Sequence, residues 1–331
     1  MSKKKSSAGA VVGILMGGAA LAVVIYFVAD YNFFLDLMVA HQYEPSAQMA
    51  ALIEDIELTS DGERILKASL PVLQNATDFN ENCGNIEEGA ASLGCLSNSK
   101  IYIYDIENEE LEGIKQTVLA HEMLHAVWQR ERKNTRNDLE ILLRQVYASH
   151  QDELASHMEF YSSSDEVDEL HSVIGTQIPY SEMPVDLVQH YKKYFRNQAK
   201  IVEYYNSYSG KFIKIQNRMV ELGAQINELR TEINANTKSY NEKYAKLNAD
   251  IADFNYRANN VRGAATMDEY NSLNERKSKL LEEYNALTKK IQKVNELIAE
   301  YNSDYEYVGN LYESIDSNSA ISINELEKES K

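Results

Sequence analysis

Two histidines four residues apart, with a glutamate beside the first, are the residues of this chain best placed to do chemistry: His121-Glu122-Met123-Leu124-His125. On a helix, positions i and i+4 lie one turn apart, so both imidazoles project from the same side and can share one zinc ion. Glu122 then stands beside the first ligand. There it can serve as general base toward a water that the ion acidifies, and later pass the proton to a leaving amine. Ala120, Met123, Leu124, Val127 and Trp128 give the same helix an apolar back for packing into a domain.

A catalytic zinc takes three protein ligands and keeps one position open. The metzincin extension would place Gly and His soon after His125, and Ala126-Val127-Trp128-Gln129-Arg130-Glu131 has neither. The third ligand is therefore expected further on, where two glutamates stand near histidines. Glu153 lies in Asp152-Glu153-Leu154-Ala155-Ser156-His157, a polar stretch suited to a solvated helix face. Glu169 lies in Asp168-Glu169-Leu170-His171-Ser172-Val173-Ile174-Gly175-Thr176, where an apolar turn and a Gly-Thr stop imply packing. Glu169 is the preferred ligand and Glu153 the alternative, with His157 or His171 behind both.

The elements that must position these groups read as mainly α. Ile101-Tyr102-Ile103-Tyr104 is β-branched and aromatic and predicts a strand, with a second strand weakly indicated at residues 70–73. Tyr102 and Tyr104 could line a cleft if a peptide paired with that strand's edge, though packing is expected for at least one of them, since alternate residues face opposite sides. Thr59 supplies cap chemistry for a short helix ending near Ser69. The motif helix is expected over 113–132, and further helices over 137–150, 153–161 and 185–205. His41, His150 and His190 sit singly in helical patterning and read as surface or boundary residues.

From Phe212 onward the pattern changes. Apolar residues alternate three and four apart through Ile233, resume from Tyr240 to Val261 after a stutter at Thr237, and recur from Met267 to Tyr305. With Gly263 between the runs, residues 206–306 predict an antiparallel coiled-coil hairpin. Residues 307–331, rich in Ser, Asn and Glu, read as a frayed acidic tail.

Lys3, Lys4 and Lys5 precede an uncharged run over residues 6–29, long enough for a membrane-spanning helix. The lysines should stay cytoplasmic, which places the rest of the chain, and a site on residues 31–205, outside the cytoplasm. Cys83 and Cys95, an even pair around a short polar loop, then read as a disulfide. A net charge of −18 argues against nucleic acid as a partner.

These residues carry a resemblance. His121 to His125 within Ala-His-Glu-Met-Leu-His-Ala-Val, the strand before it and a downstream acidic ligand resemble the gluzincin group of zinc metallopeptidases. Leu58-Thr59-Ser60-Asp61-Gly62, Phe79-Asn80-Glu81-Asn82-Cys83, Gly94-Cys95 and the segment from Glu169 to Thr176 are more closely similar to a set of largely uncharacterised bacterial membrane-anchored proteins with such a core. The resemblance spans roughly residues 55–205 and implies a zincin-like α+β domain in which Glu169 matches the family's downstream ligand. It also implies that His171 is a supporting or transition-state group, with a packed core histidine as the competing reading. Asp168 stands where the resemblance expects Asn, and Gln177 where it expects an acid.

The expectation is a membrane-anchored, extracytoplasmic zinc peptidase with Glu122 as base, acting on a peptide, a protein or the peptide cross-links of a cell wall. The competing expectation is a non-catalytic cell-envelope interaction protein that works through the coiled coil, by homodimerisation or with a partner, and keeps a structural or relict zinc site.

Overall fold

The computed structural model describes residues 31–84, 93–158, 166–260 and 265–318. The expected anchor over 1–30, the hairpin glycine at 263 and the end of the tail at 319–331 lie outside them. Among the described residues, no helix is long and apolar enough to cross a membrane. Two compact units emerge: one reaches Ser209 and resumes at Leu311, and the other is Gly210–Asn310.

The first unit opens with helices α1 (Tyr31–Gln42), α2 (Ala47–Asp55) and α3 (Ser60–Ala68). Thr59 caps α3 as expected: its side chain accepts from the Gly62 N–H at 3.2 Å, satisfying a donor that the first turn leaves open. Strands β1 (Val72–Gln74), β2 (Gly94–Ser97) and β3 (Lys100–Tyr104) form a sheet in the order β1-β3-β2, with β1 parallel and β2 antiparallel to β3. The first strand starts two residues later than the sequence suggests, because Leu70 takes a positive φ of 46° and extended backbone begins only after it. Strand β2 was not expected, since its Gly-Cys-Leu-Ser carries no alternation strong enough to read.

The order of the sheet corrects the reading of Tyr102 and Tyr104. Strand β3 is central, so both of its edges are already paired and no peptide can add to it. Tyr104 is buried against Phe79, ring centroids 5.9 Å apart, and Tyr102 is half-buried beneath Lys100. The disulfide forms as expected, joining Cys83 at the end of α4 (Ala76–Cys83) to Cys95 in β2.

Five helices follow: α5 (Ile114–Arg130), α6 (Lys133–Ser149), α7 (Gln151–Met158), α8 (Glu166–Gln177) and α9 (Val185–Tyr191). Leu119, Met123, Leu124, Val127, Leu143, Leu170, Val173 and Ile174 are buried in one core. Helix α8 lies close on α5 because residue 175 is glycine. A Cβ there would fall 2.4 Å from Leu124 Cδ1 and 2.7 Å from the Tyr191 ring. The single helix expected over 185–205 is broken, with α9 ending at Tyr191 and α10 (Gln198–Asn260) starting after six intervening residues. The intervening backbone is spent elsewhere: the Tyr194 carbonyl accepts from the Thr59 N–H and the Arg196 N–H donates to the Glu57 carbonyl, both at 2.9 Å.

Helices α10 and α11 (Met267–Ile315) supply the second unit. Arg218 pairs with Glu300, Glu232 with Lys290, Lys243 with Glu283, Asp250 with Arg276 and Arg257 with Glu269. Partners advance along one arm as they retreat along the other, so the arms are antiparallel, as the heptads implied. Leu222, Leu247, Leu280, Leu287, Val294 and Leu297 are buried between them.

The tail reading is corrected over 307–318. Helix α11 continues to Ile315, Leu311 is buried, Asn108 donates to Ser314 Oγ at 2.8 Å and Ser317 donates to Asn80 Oδ1 at 2.7 Å. Composition read Ser314 and Ser317 as part of a solvated tail. They are instead hydrogen-bonding partners for a loop and a helix of the first unit.

Candidate metal centre

Helix α5 places His121 and His125 as the spacing requires, with their Nε2 atoms 3.0 Å apart. Helix α8, held close by Gly175, brings Glu169 to them. Its Oε1 lies 3.6 Å from His121 Nε2 and its Oε2 3.3 Å from His125 Nε2. The three side chains form a group that could hold a metal ion, with two imidazole nitrogens and one carboxylate oxygen as donors. Glu153 does not join them, since it is exposed on α7. The side chain of His157 lies outside the described residues.

Asp168, one residue before Glu169, completes the arrangement. Its Oδ1 accepts from His125 Nδ1 at 2.7 Å. A carboxylate can only accept here, so Nδ1 carries a proton and, once the ring is neutral, the lone pair of Nε2 faces the cluster. In the sequence this residue is legible only as a departure from the Asn that the resemblance expects, with its place beside Glu169 as the one available signal.

Electrostatics favour a cation at this place. Burial alone would push both histidines down, yet His121 is held above its ordinary value by the Glu169 carboxylate. His125 is held well above it by hydrogen bonds to Asp168 and Glu169, with the charge of Glu122 adding to both histidines. Burial alone would raise Glu169, and the two imidazoles hold it far below the carboxylate range instead. In the metal-free chain, protons therefore supply the positive charge that an entering ion would displace.

Glu122 is buried and lies beneath strand β2. A Cβ on Gly94 would fall 2.8 Å from both Glu122 Cγ and Glu122 Oε1, and 2.6 Å from Val118 Cγ1. The strand can cross this carboxylate only because residue 94 has no side chain, and the disulfide at Cys95 fastens the next residue. Gly94 was quoted for its resemblance and was missed as part of the site, because a four-residue strand gives no periodicity to place it.

His171 lies two residues beyond Glu169, about 200° further round α8, and is not in the cluster. It is fully buried, its Nε2 is 2.8 Å from His190 Nε2, and the Trp128 and Tyr191 rings lie 5.1 and 5.3 Å away. His190, read from sequence as a surface or boundary residue, is buried as well, because α9 turns it inward between His171 and Tyr194. His41 is exposed and His150 bonds Glu182 at 2.8 Å, so those two readings hold. Gln177 is buried at the end of α8, its Oε1 without a hydrogen-bond partner and its side chain outside the ligand group.

No protein-family model, curated protein or solved structure matches this chain. The reading of the site rests on its own residues.

Proposed function

We propose that the chain is a membrane-anchored, extracytoplasmic zinc peptidase. The observation that carries this reading is the convergence of His121, His125 and Glu169 beside a buried carboxylate, Glu122. Two imidazoles and one carboxylate make a borderline donor set that suits zinc, and three protein ligands are what a catalytic rather than a structural site uses. Zinc, when bound there, supplies Lewis acidity toward a carbonyl and lowers the pKa of water.

The chain's own residues do the rest. Asp168 holds the His125 ring in the tautomer whose Nε2 is free to donate. Glu122 takes a proton from the attacking water and delivers it to the amine of the broken peptide bond. Gly94 leaves the space in which that carboxylate sits. Among the described residues, strand β2 pairs with β3 and borders Glu122.

The test compares the full chain with Glu122→Gln and His125→Ala in metal content and in cleavage of a peptide mixture. Glu122→Gln should retain about one zinc per chain while turnover falls by at least about a thousandfold, and His125→Ala should lose both. Equal metal loss in the two variants, or cleavage undiminished by Glu122→Gln, would overturn this division of roles.

A second reading, an envelope interaction protein, is favoured by the hairpin's exposed apolar residues, among them Val220, Leu281 and Ile291. Absence of cleavage by a fully metallated chain would select it.

A further inference from the structure

Helix α1 has an outer surface that the first unit does not cover. Phe33, Leu35, Leu37 and Met38 are 43%, 41%, 49% and 61% exposed. At 100° per residue they cover an arc of about 200°, far wider than a seam for one packed neighbour. Only Asn32 and Asp36 are polar between Tyr31 and Ala40, and His41 and Gln42 then close the helix with exposed polar groups.

The opposite side of α1 is fixed. Asp36, buried, receives Arg130 Nε at 2.8 Å on Oδ2 and Arg130 Nη2 at 2.9 Å on Oδ1, and Arg64 Nη1 at 3.2 Å on Oδ2. Arg64 also lies over the Phe33 ring, 4.5 Å from its centroid. The helix is therefore clamped to α3 and to the last turn of α5, five residues beyond His125.

What covers the apolar arc follows from the chain that precedes it. Residues 6–29 are an uncharged run of 24 residues that stops two residues before α1. As a helix they measure about 36 Å, enough to cross a hydrocarbon core of about 30 Å without help from α1. The apolar side chains of α1 then fall just outside that core, at the depth where aromatic-rich amphipathic helices rest among headgroups.

We propose that α1 is a lipid-interface helix: Phe33, Leu35, Leu37 and Met38 insert into the outer surface of the bilayer, and the Asp36 clamp transmits that position to the metal-bearing helix. This rests on the anchoring part of the functional reading and not on the peptidase part. Joined to the peptidase reading, it implies as substrate class peptide presented close to the membrane surface.

The chain offers a clean experiment, because the described residues contain no free cysteine. Single cysteines at Leu37, Met38 and, as an exposed control, Gln48 are labelled with an environment-sensitive fluorophore in the full chain, which is then reconstituted into phosphatidylcholine–phosphatidylglycerol vesicles. Labels at 37 and 38 should be quenched at least about twofold more by lipids with a nitroxide near the headgroup end of the acyl chain than by lipids with one near its tail, and be shielded from aqueous iodide. The label at 48 should be quenched by iodide and by neither lipid probe. Iodide quenching at 37 and 38 equal to that at 48, in chains that float with vesicles, overturns the proposal while leaving the anchor intact. Excimer emission from pyrene at 37 and 38 without lipid quenching overturns it in favour of a second copy. Chains that fail to float remove the anchor and this proposal together, and leave the metal-site tests unaffected.

Discussion

Two pairs of histidines meet in the first unit with nearly the same geometry and opposite character. His121 and His125 bring their Nε2 atoms within 3.0 Å, and His171 and His190 bring theirs within 2.8 Å. His125, His171 and His190 are buried and His121 is partly so, and burial pushes every one of them toward the neutral form. Only the first pair ends up raised, because Glu169 and Asp168 lie against it. The second pair is packed among Trp128, Tyr191 and Tyr194, and its nearest carboxylate, Glu131, stands 3.8 Å from His190 Nδ1. Neighbouring carboxylates, more than histidine spacing, separate a place for a cation from a piece of core.

The largest effect that could break this comparison is on metal binding. His121→Ala should weaken zinc binding by on the order of a thousandfold, since one of three ligands is lost. His190→Gln should leave the zinc content at about one per chain and lower only stability. Metal loss of similar size in both variants, measured by competition with a chelator of known affinity, would erase the distinction.

The next effect is the sign of the pH dependence. Burial, with a smaller contribution from the Lys193 charge, depresses His190 from 6.5 to about 3, and His171 is also well below its ordinary value. The unfolded chain therefore takes up protons near pH 6.5 that the fold refuses. This contribution is complete above pH 6.5 and is lost as pH falls toward 3, on the order of 5 kcal/mol for His190 alone. The site pair has the opposite sign in the metal-free chain: its raised values stabilise below pH 6.5, and that stability is lost as pH rises through them. Urea unfolding of the metal-free chain between pH 5 and 6.5, where few carboxylates titrate, should show a smaller acid loss in His190→Gln and a larger one in His121→Gln. Identical slopes in both would mean the pairs are not distinguished by their surroundings.

These two pairs also mark how much was legible beforehand. The i,i+4 spacing announced one pair, and the packed character of the segment after Glu169 selected it over Glu153 as the carboxylate that joins that pair. The hairpin was equally legible, because a heptad pattern is local and repeats. What was hidden depends on tertiary approach. His190 reads as an isolated histidine until α9 folds it against α8, and Gly94 reads as a turn until β2 crosses Glu122. Asp168 reads as a misfit until His125 turns to meet it. Ser314 and the buried Ser317 were hidden for the same reason, their partners lying more than 200 positions away.

Smaller, and confined to chemistry, is the effect of filling the space above Glu122. Gly94→Ala puts a methyl 2.8 Å from the carboxylate oxygen, so Glu122 must shift. Turnover should fall by about a hundredfold, the scale of a general base moved by an ångström, while zinc content stays at about one per chain. A fall in zinc content to match the activity would show that Gly94 shapes the ligands and not the base.

The smallest effect separates two contributions of Asp168. Its carboxylate fixes the His125 tautomer by accepting from Nδ1, and its charge makes the ring a better donor. Asn in its place can still accept that hydrogen bond through its amide oxygen, so geometry survives and charge does not. Ala removes both. Zinc affinity should therefore fall by roughly tenfold to a hundredfold in Asp168→Ala and by only a few-fold in Asp168→Asn, read by the same chelator competition. Equal losses would assign the whole effect to charge, and an Asn variant that binds as the parent does would assign it to the tautomer. Either result refines what distinguishes the site pair, since among the described residues no carboxylate lies within hydrogen-bonding distance of either ring of the core pair, Glu131 standing 3.8 Å from His190 Nδ1.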